Sequence, residues 1–221
     1  MSHFHRLRPG RLSYTEGLAL QQALIEERLR GESDVLVLLE HDPVVTLGRG
    51  AKERNLLFSP EELARRGIDC VRVGRGGDAT YHGPGQLVGY PIVHLDPLGR
   101  DLHRYLRLLE QVLIDALAAF GVTGTRAAGK TGVWVNGAKL ASIGVGVRRW
   151  VAWHGFALNV DPDLSGFANI VPCGLQGVTM TSLTHLLGEK PAWDEVEEQI
   201  VKAFAGNFVS EYSGDVTVQH A

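Results

Sequence analysis

Two side chains in this 221-residue chain stand in settings that could serve a covalent reaction: the thiol of Cys173 and the amine of Lys139. Cys173 stands in Ile170-Val171-Pro172-Cys173-Gly174-Leu175, between a proline that fixes φ and a glycine that lets another molecule approach the backbone. A free cysteine is commonly a small buried hydrophobe, and it becomes a nucleophile only where its surroundings favour the thiolate. A lysine ammonium alongside would do that. Lys139 lies in Asn136-Gly137-Ala138-Lys139-Leu140-Ala141-Ser142-Ile143-Gly144, and the run that follows it is free of charge. On an interior strand such a lysine either snorkels to solvent or faces a polar cavity. A Cys–His pair is the alternative, with His41, His82 or His154 folded in from afar.

Two further stretches have the composition of a ligand site. Arg75-Gly76-Gly77-Asp78-Ala79-Thr80-Tyr81-His82-Gly83-Pro84-Gly85-Gln86 combines a cation, an imidazole and a backbone able to curl around a ligand. It lacks the G-K-(S/T) ending of a phosphate loop. Trp153-His154-Gly155-Phe156-Ala157-Leu158-Asn159 alternates small or polar residues with apolar ones. The scattered His and Cys match no zinc spacing, so no metal site is expected.

These residues need elements to hold them. Ser13-Tyr14-Thr15-Glu16 and Ser59-Pro60-Glu61-Glu62 are capping boxes. The first opens a helix with Leu18, Ile25 and Leu29 along one side, closed near Gly31; the second opens a short helix closed by Gly67. A long amphipathic helix is predicted from Asp101 to Phe120, with Leu102, Leu106, Leu109, Leu113 and Leu117 on one face, and a last helix from Asp194 to Phe208. Strands are predicted over 34–40, 44–48, 70–73, 87–95 and 153–160. Segments 132–135 and 139–147, joined by Asn136-Gly137, read as a hairpin with a type I′ turn. Interleaved strands and helices with one hairpin indicate an α/β (α+β) fold, a mixed β-sheet flanked by helices, in a single catalytic domain over 1–221. The polar segment 213–221 reads as a weakly ordered tail.

A net charge of −3 argues against a general nucleic-acid binder. No run approaches the length of a membrane span, and the first residues lack a signal-peptide core. Cys70 and Cys173 form neither a disulfide framework nor a C-x-x-C site, so a reducing, cytoplasmic setting is expected.

Taken together, the segments resemble the lipoyl(octanoyl) transferase family. Its pattern R-G-G-x-x-T, an aromatic residue, then H-x-x-G-Q matches Arg75 to Gln86, followed by Tyr90-Pro91. Lys-x-x-Ser-(Leu/Ile)-Gly matches Lys139 to Gly144, His-Gly-x-Ala-Leu-Asn matches His154 to Asn159, and Pro-Cys-Gly matches Pro172 to Gly174. His41-x-Pro43 and Thr46-x-Gly48 match an earlier element, so the resemblance spans roughly 35–187. It implies a fold similar to the biotin protein ligase and lipoate–protein ligase catalytic domains. It also implies transfer of an octanoyl or lipoyl group from acyl carrier protein to a lysine on the lipoyl domains of 2-oxoacid dehydrogenases or the glycine cleavage H protein.

On that resemblance Cys173 forms an acyl thioester, and Lys139 lowers its thiol pKa and later takes a proton from the incoming amine, without metal or cofactor. Substrate is expected at Arg75, Gly76, Gly77, Thr80, Tyr81, His82, Gly83, Ser142, Ile143, Gly144, His154, Gly155, Phe156, Ala157 and His41. Gly76, Gly77, Gly144 and Gly155 would open a tunnel for the acyl chain, while Asp78 and Ala79 are not expected as contacts. An acidic carrier implies a basic patch, at Arg148 and Arg149 or at Arg100, Arg104 and Arg107. The alternatives are an ATP-dependent lipoate–protein ligase, which uses no cysteine nucleophile, a non-catalytic acyl-carrier-binding module, or a cysteine-dependent thioesterase.

Overall fold

The computed structural model of the chain describes residues 2–171 and 177–217. Among them the strands form two sheets. The large one has eight strands in the order β11-β1-β2-β6-β10-β9-β8-β7. They are β1 (Ser2–Leu12), β2 (Asp34–His41), β6 (Gln86–His94), β7 (Thr125–Ala127), β8 (Lys130–Val135), β9 (Ala138–Arg148), β10 (Val151–Asn159) and β11 (Ser210–Val216). The small sheet is β4 (Asp69–Arg72), β3 (Val44–Leu47) and β5 (Ala79–His82), in that order. β1 pairs in parallel with both β11 and β2, and β3 pairs in parallel with β4; the remaining pairs are antiparallel, so the sheets are mixed as the sequence suggests.

Strand alternation divides the core. From β2, Leu36 and Leu38 join one apolar cluster, and Val37 and Leu39 join another. From β6, Leu87 and Val93 go one way, and Val88, Tyr90 and Ile92 the other. The first cluster is completed by α3 (Leu102–Ala118) and α5 (Trp193–Phe208), the second by α1 (Tyr14–Leu29). Both faces are therefore covered, which explains why β2 and β6 read as continuous apolar runs. A third cluster, with Val45, Leu63, Tyr81 and Phe167, sits beneath the small sheet against α2 (Pro60–Arg65).

Both capping boxes form, with Ser13 and Ser59 accepting from the N3 amides of Glu16 and Glu62. Asn136 and Gly137 take φ of 50° and 81°, which a type I′ turn requires. The buried side of α1 differs from the expected one: Tyr14, Gly17, Gln21, Leu24 and Ile25 face inward, while Leu18 and Leu29 are half-buried. A Cβ on Gly17 would lie 2.6 Å from His41 Cε1, and Gln21 Oε1 accepts the His154 amide at 2.8 Å. The helix face is shaped by polar neighbours, which apolar periodicity does not report.

The expectation of a loose tail from 213 is corrected as far as Val216. β11 pairs with β1, and its Asp215 grips Arg6, which is 6% exposed, through Nε at 2.6 Å and Nη2 at 2.9 Å. Glu198 holds the third nitrogen, Nη1. The guanidinium beside it holds the Asp215 carboxyl down at about 2. Cutting the chain after Tyr212 removes two of these three bonds from a buried charge. The expected cost is about 2 kcal/mol, a fall in Tm of roughly 4–8 °C; an unchanged melting curve would restore the loose-tail reading.

Candidate active site

The site begins with a break in the large sheet. β10 and β6 pair at Val151↔His94 and Ala152↔Val93, and pairing resumes only at Phe156↔Gly89. Pro91 lies in the interval and has no amide to donate. Opposite it, His154 takes φ +55°, and a Cβ on Gly155 would stand 2.6 Å from Pro91 Cδ. Around this interruption of the ladder, side chains from both faces reach one cavity of about 380 Å³. Exposed Arg49, Lys130 and Leu102 stand at its mouth, and Tyr14, His82, Tyr90 and His154, all buried, close its far end.

Of the expected residues, Arg75, Gly76, Gly77, Thr80, His82, Lys139, Ser142, Ile143, Gly144, His154, Gly155, Phe156 and Ala157 line this cavity. Tyr81, Gly83 and His41 do not. On β5, Thr80 and His82 reach the cavity while Tyr81 packs against Phe167 at 5.5 Å in the third cluster, with Gly83 abutting its ring. His41 is fully buried behind the wall, bonded through Nδ1 to Leu12 O at 2.9 Å and through Nε2 to Tyr90 Oη at 2.7 Å. Cys173 lies outside the described residues. Tyr14, Arg49, Tyr90, Leu102 and Leu106 also line the cavity, and Asp78 and Ala79 join them against expectation. Leu102 and Leu106 stood out only as members of an apolar helix face.

Lys139 is 2% exposed. A bulge places it there: Val135↔Ala138 and Trp134↔Lys139 pair regularly, then Val133 pairs with Ala141, so Leu140 is extra and Lys139, Leu140 and Ala141 are all buried. The Lys139 ammonium lies 5.5 Å from the centroid of the Trp134 ring, whose negative face favours a cation. Gly132, at φ +127°, lies over the lysine stem, where a Cβ would meet Lys139 Cε at 2.8 Å. Its amide is held by the fully buried Glu110 at 3.1 Å, and Glu110 also takes Arg107 and Arg126. On the other side, Lys139 N donates to Thr179 O at 2.8 Å and Thr181 N to Lys139 O at 3.0 Å. The chain emerging from Pro172–Gln176 is thus paired directly to Lys139.

A match to the family model for the lipoyl protein ligase A/B catalytic domain covers residues 13–205. The chain belongs to this family. An octanoyltransferase of Citrifermentans bemidjiense is 51% identical over 195 residues, 88% of this chain and 92% of that one. A bi-partite lipoate protein ligase of Thermoplasma acidophilum superposes with a TM-score of 0.76 at 16% identity, covering 100% of this chain and 89% of that one. Biotin protein ligase of Aquifex aeolicus gives 0.53 at 14%, covering 95% and 70%. These two likenesses establish the shared fold.

The family's polar motif residues bond chiefly to one another. Arg75 donates to Thr46 O at 2.7 Å and Oγ1 at 2.8 Å, and Thr46 Oγ1 lies 3.4 Å from His82 Nε2. His82 Nδ1 meets Gln86 Oε1 at 2.7 Å; an amide oxygen only accepts, so the proton is on Nδ1. Gln86 Nε2 donates to Asn159 Oδ1 at 3.0 Å, and Asn159 Nδ2 to Thr181 O at 3.0 Å, beside Lys139. His41 and His82 therefore have both ring nitrogens engaged. The Thr46-x-Gly48 element is explained too, since a Cβ on Gly48 would collide with Gly77 O. Nor do all four expected tunnel glycines act by clearing space. Gly144 and Gly155 have backbone of Gly76 and Gly89 against them, and their role is close strand and loop approach.

The expected basic patch is partly spoken for: Arg100 pairs with Asp96, Arg107 with Glu110 and Arg148 with Glu26, each at 2.6 Å. The mouth's own cations are Arg49 and Lys130.

Burial pushes His82 and His154 down to about 3, so both are neutral in the folded protein. The unfolded chain takes up their protons near 6.5, hence stability is full above 6.5 and falls as pH drops towards 3, by about 1.4 kcal/mol per pH unit for each histidine. His154→Asn, which tolerates the left-handed backbone, should lower the measured slope of stability against pH by one histidine's share. An identical slope in the variant would contradict the assignment.

Proposed function

We propose that this chain is an enzyme, an acyltransferase that moves octanoyl groups in protein lipoylation through an acyl thioester on Cys173. Lys139 carries the reading. An amine held at 2% exposure, on the wall of a cavity sized for a medium acyl chain and paired to the segment returning from Cys173, has a task in chemistry. The octanoyltransferase relatives supply the acyl group.

In the proposed course, the Cys173 thiolate attacks the thioester carbonyl of octanoyl-acyl carrier protein, the carrier's carbon–sulfur bond breaks, and the departing carrier thiolate takes a proton from the Lys139 ammonium. The acyl chain lies along Ile143, Phe156 and Ala157 towards the closed end. The lysine amine of a lipoyl domain then attacks the acyl-cysteine. Lys139, deprotonated by then, takes the amine proton as the amide forms and the thiolate is released. Backbone amides at the glycine segments favour the charge on the tetrahedral oxygen. The thioester supplies the driving force, and no nucleotide enters. Arg49 and Lys130 at the mouth suit acidic protein partners. No helix of the described residues is long and apolar enough to cross a membrane.

Intact-mass measurement after mixing with octanoyl-acyl carrier protein tests the reading. One octanoyl adduct is expected, absent in Cys173→Ser and passed on when a lipoyl domain is added. An adduct that persists in Cys173→Ser refutes the cysteine step. Modification of the lipoyl domain from free octanoate and ATP would favour a ligase, and release of free octanoate at a rate indifferent to the lipoyl domain would favour a thioesterase.

A further inference from the structure

Asn55 lies outside every matched motif and ends the 3-10 turn Glu53–Asn55, yet it is 8% exposed and touches both the glycine-rich wall of the cavity and the chain that leads towards Cys173. Its side-chain Nδ2 donates to Asp78 Oδ2 at 2.6 Å, on the glycine-rich wall of the cavity. Its backbone oxygen accepts from Val171 N at 2.8 Å, two positions before Cys173. The neighbouring residues repeat the attachment: Leu56 bridges Ile170, and Leu57 N donates to Asn169 O at 3.0 Å. The other carboxylate oxygen of Asp78 accepts its own Ala79 amide at 2.7 Å, so the Asp78 side chain has one orientation.

We propose that Asn55 is a positioning residue, which through Asp78 fixes the acyl-binding wall relative to the segment that carries the nucleophile. This rests on the transferase reading. The glycine-rich wall and the chain leading to Cys173 come from distant parts of the sequence, and on the transferase reading the thioester carbonyl must be placed within attack distance of the Cys173 sulfur. The backbone bond to Val171 survives any substitution at position 55. The side-chain bond to Asp78 does not, so the link can be cut on one side only.

The test follows formation of the acyl adduct on Cys173 by rapid-quench mass spectrometry, at temperatures below each variant's melting transition. Asn55→Ala should slow maximal acylation roughly ten- to a hundredfold while the half-saturating donor concentration changes little. Asn55→Asp, which sets two carboxylates together, should be slower still. The exchange Asn55→Asp with Asp78→Asn rebuilds the bond with donor and acceptor reversed, and should restore the rate to within about threefold of wild type. If Asn55→Ala does not fold, Asp78→Ala cuts the same bond from its other end. A wild-type chain that forms no adduct overturns the transferase reading, and this inference falls with it. Given the wild-type adduct, an undiminished rate in Asn55→Ala, a change confined to half-saturation, or an exchange that rescues nothing overturns the inference alone.

Discussion

The burial of one ammonium group organises this molecule. A lysine at 2% exposure is costly unless its surroundings answer the charge, and answering it constrains everything nearby. The bulge at Leu140 turns Lys139 inward, Trp134 offers its ring, and Gly132 must stay without a side chain because the lysine stem occupies that space. Glu110, on α3, is fully buried in order to hold Gly132, and it needs Arg107 and Arg126 to be tolerated there. A helix, a hairpin and a strand are thus fixed relative to one another by the need to place one amine.

A second constraint comes from the break between β6 and β10. Pro91 and His154 give up ladder bonds to each other in the middle of a large sheet, and His154 and Gly155 at that interruption line the cavity. Several polar groups near the gap bond to one another in a chain from Arg75 through Thr46, His82, Gln86 and Asn159 to Thr181, ending at the backbone of Lys139. Such a network is rigid when complete and costly when interrupted. It ties Arg75 and His82, which line the cavity, to the backbone of Lys139.

The reading of the sequence succeeded where a residue's type states its task. Ser13 and Ser59 cap helices, Asn136-Gly137 turns a hairpin, and Lys139 in an uncharged run stays buried in the wall of a cavity. It fell short where the deciding neighbour is remote. β1 and β11 carry charges among their apolar residues, and the contacts that hold them are remote: Phe4 packs on Phe204 and Tyr212, and Arg6 meets Asp215, 209 residues away. Tyr81 and His82 stand side by side in one motif, but alternation on β5 sends them to opposite sides. Tyr14 and Arg49 had no local signal at all, because what places them in the cavity wall is tertiary packing.

The central claim is that Lys139 activates Cys173. The most direct measurement is the rate of Cys173 alkylation against pH, followed by mass mapping so that Cys70, whose thiol burial pushes up, is read separately. The account predicts an apparent pKa for Cys173 below the ordinary thiol value of about 8.5, rising by about one unit or more in Lys139→Met. The same pH dependence in both proteins would contradict it.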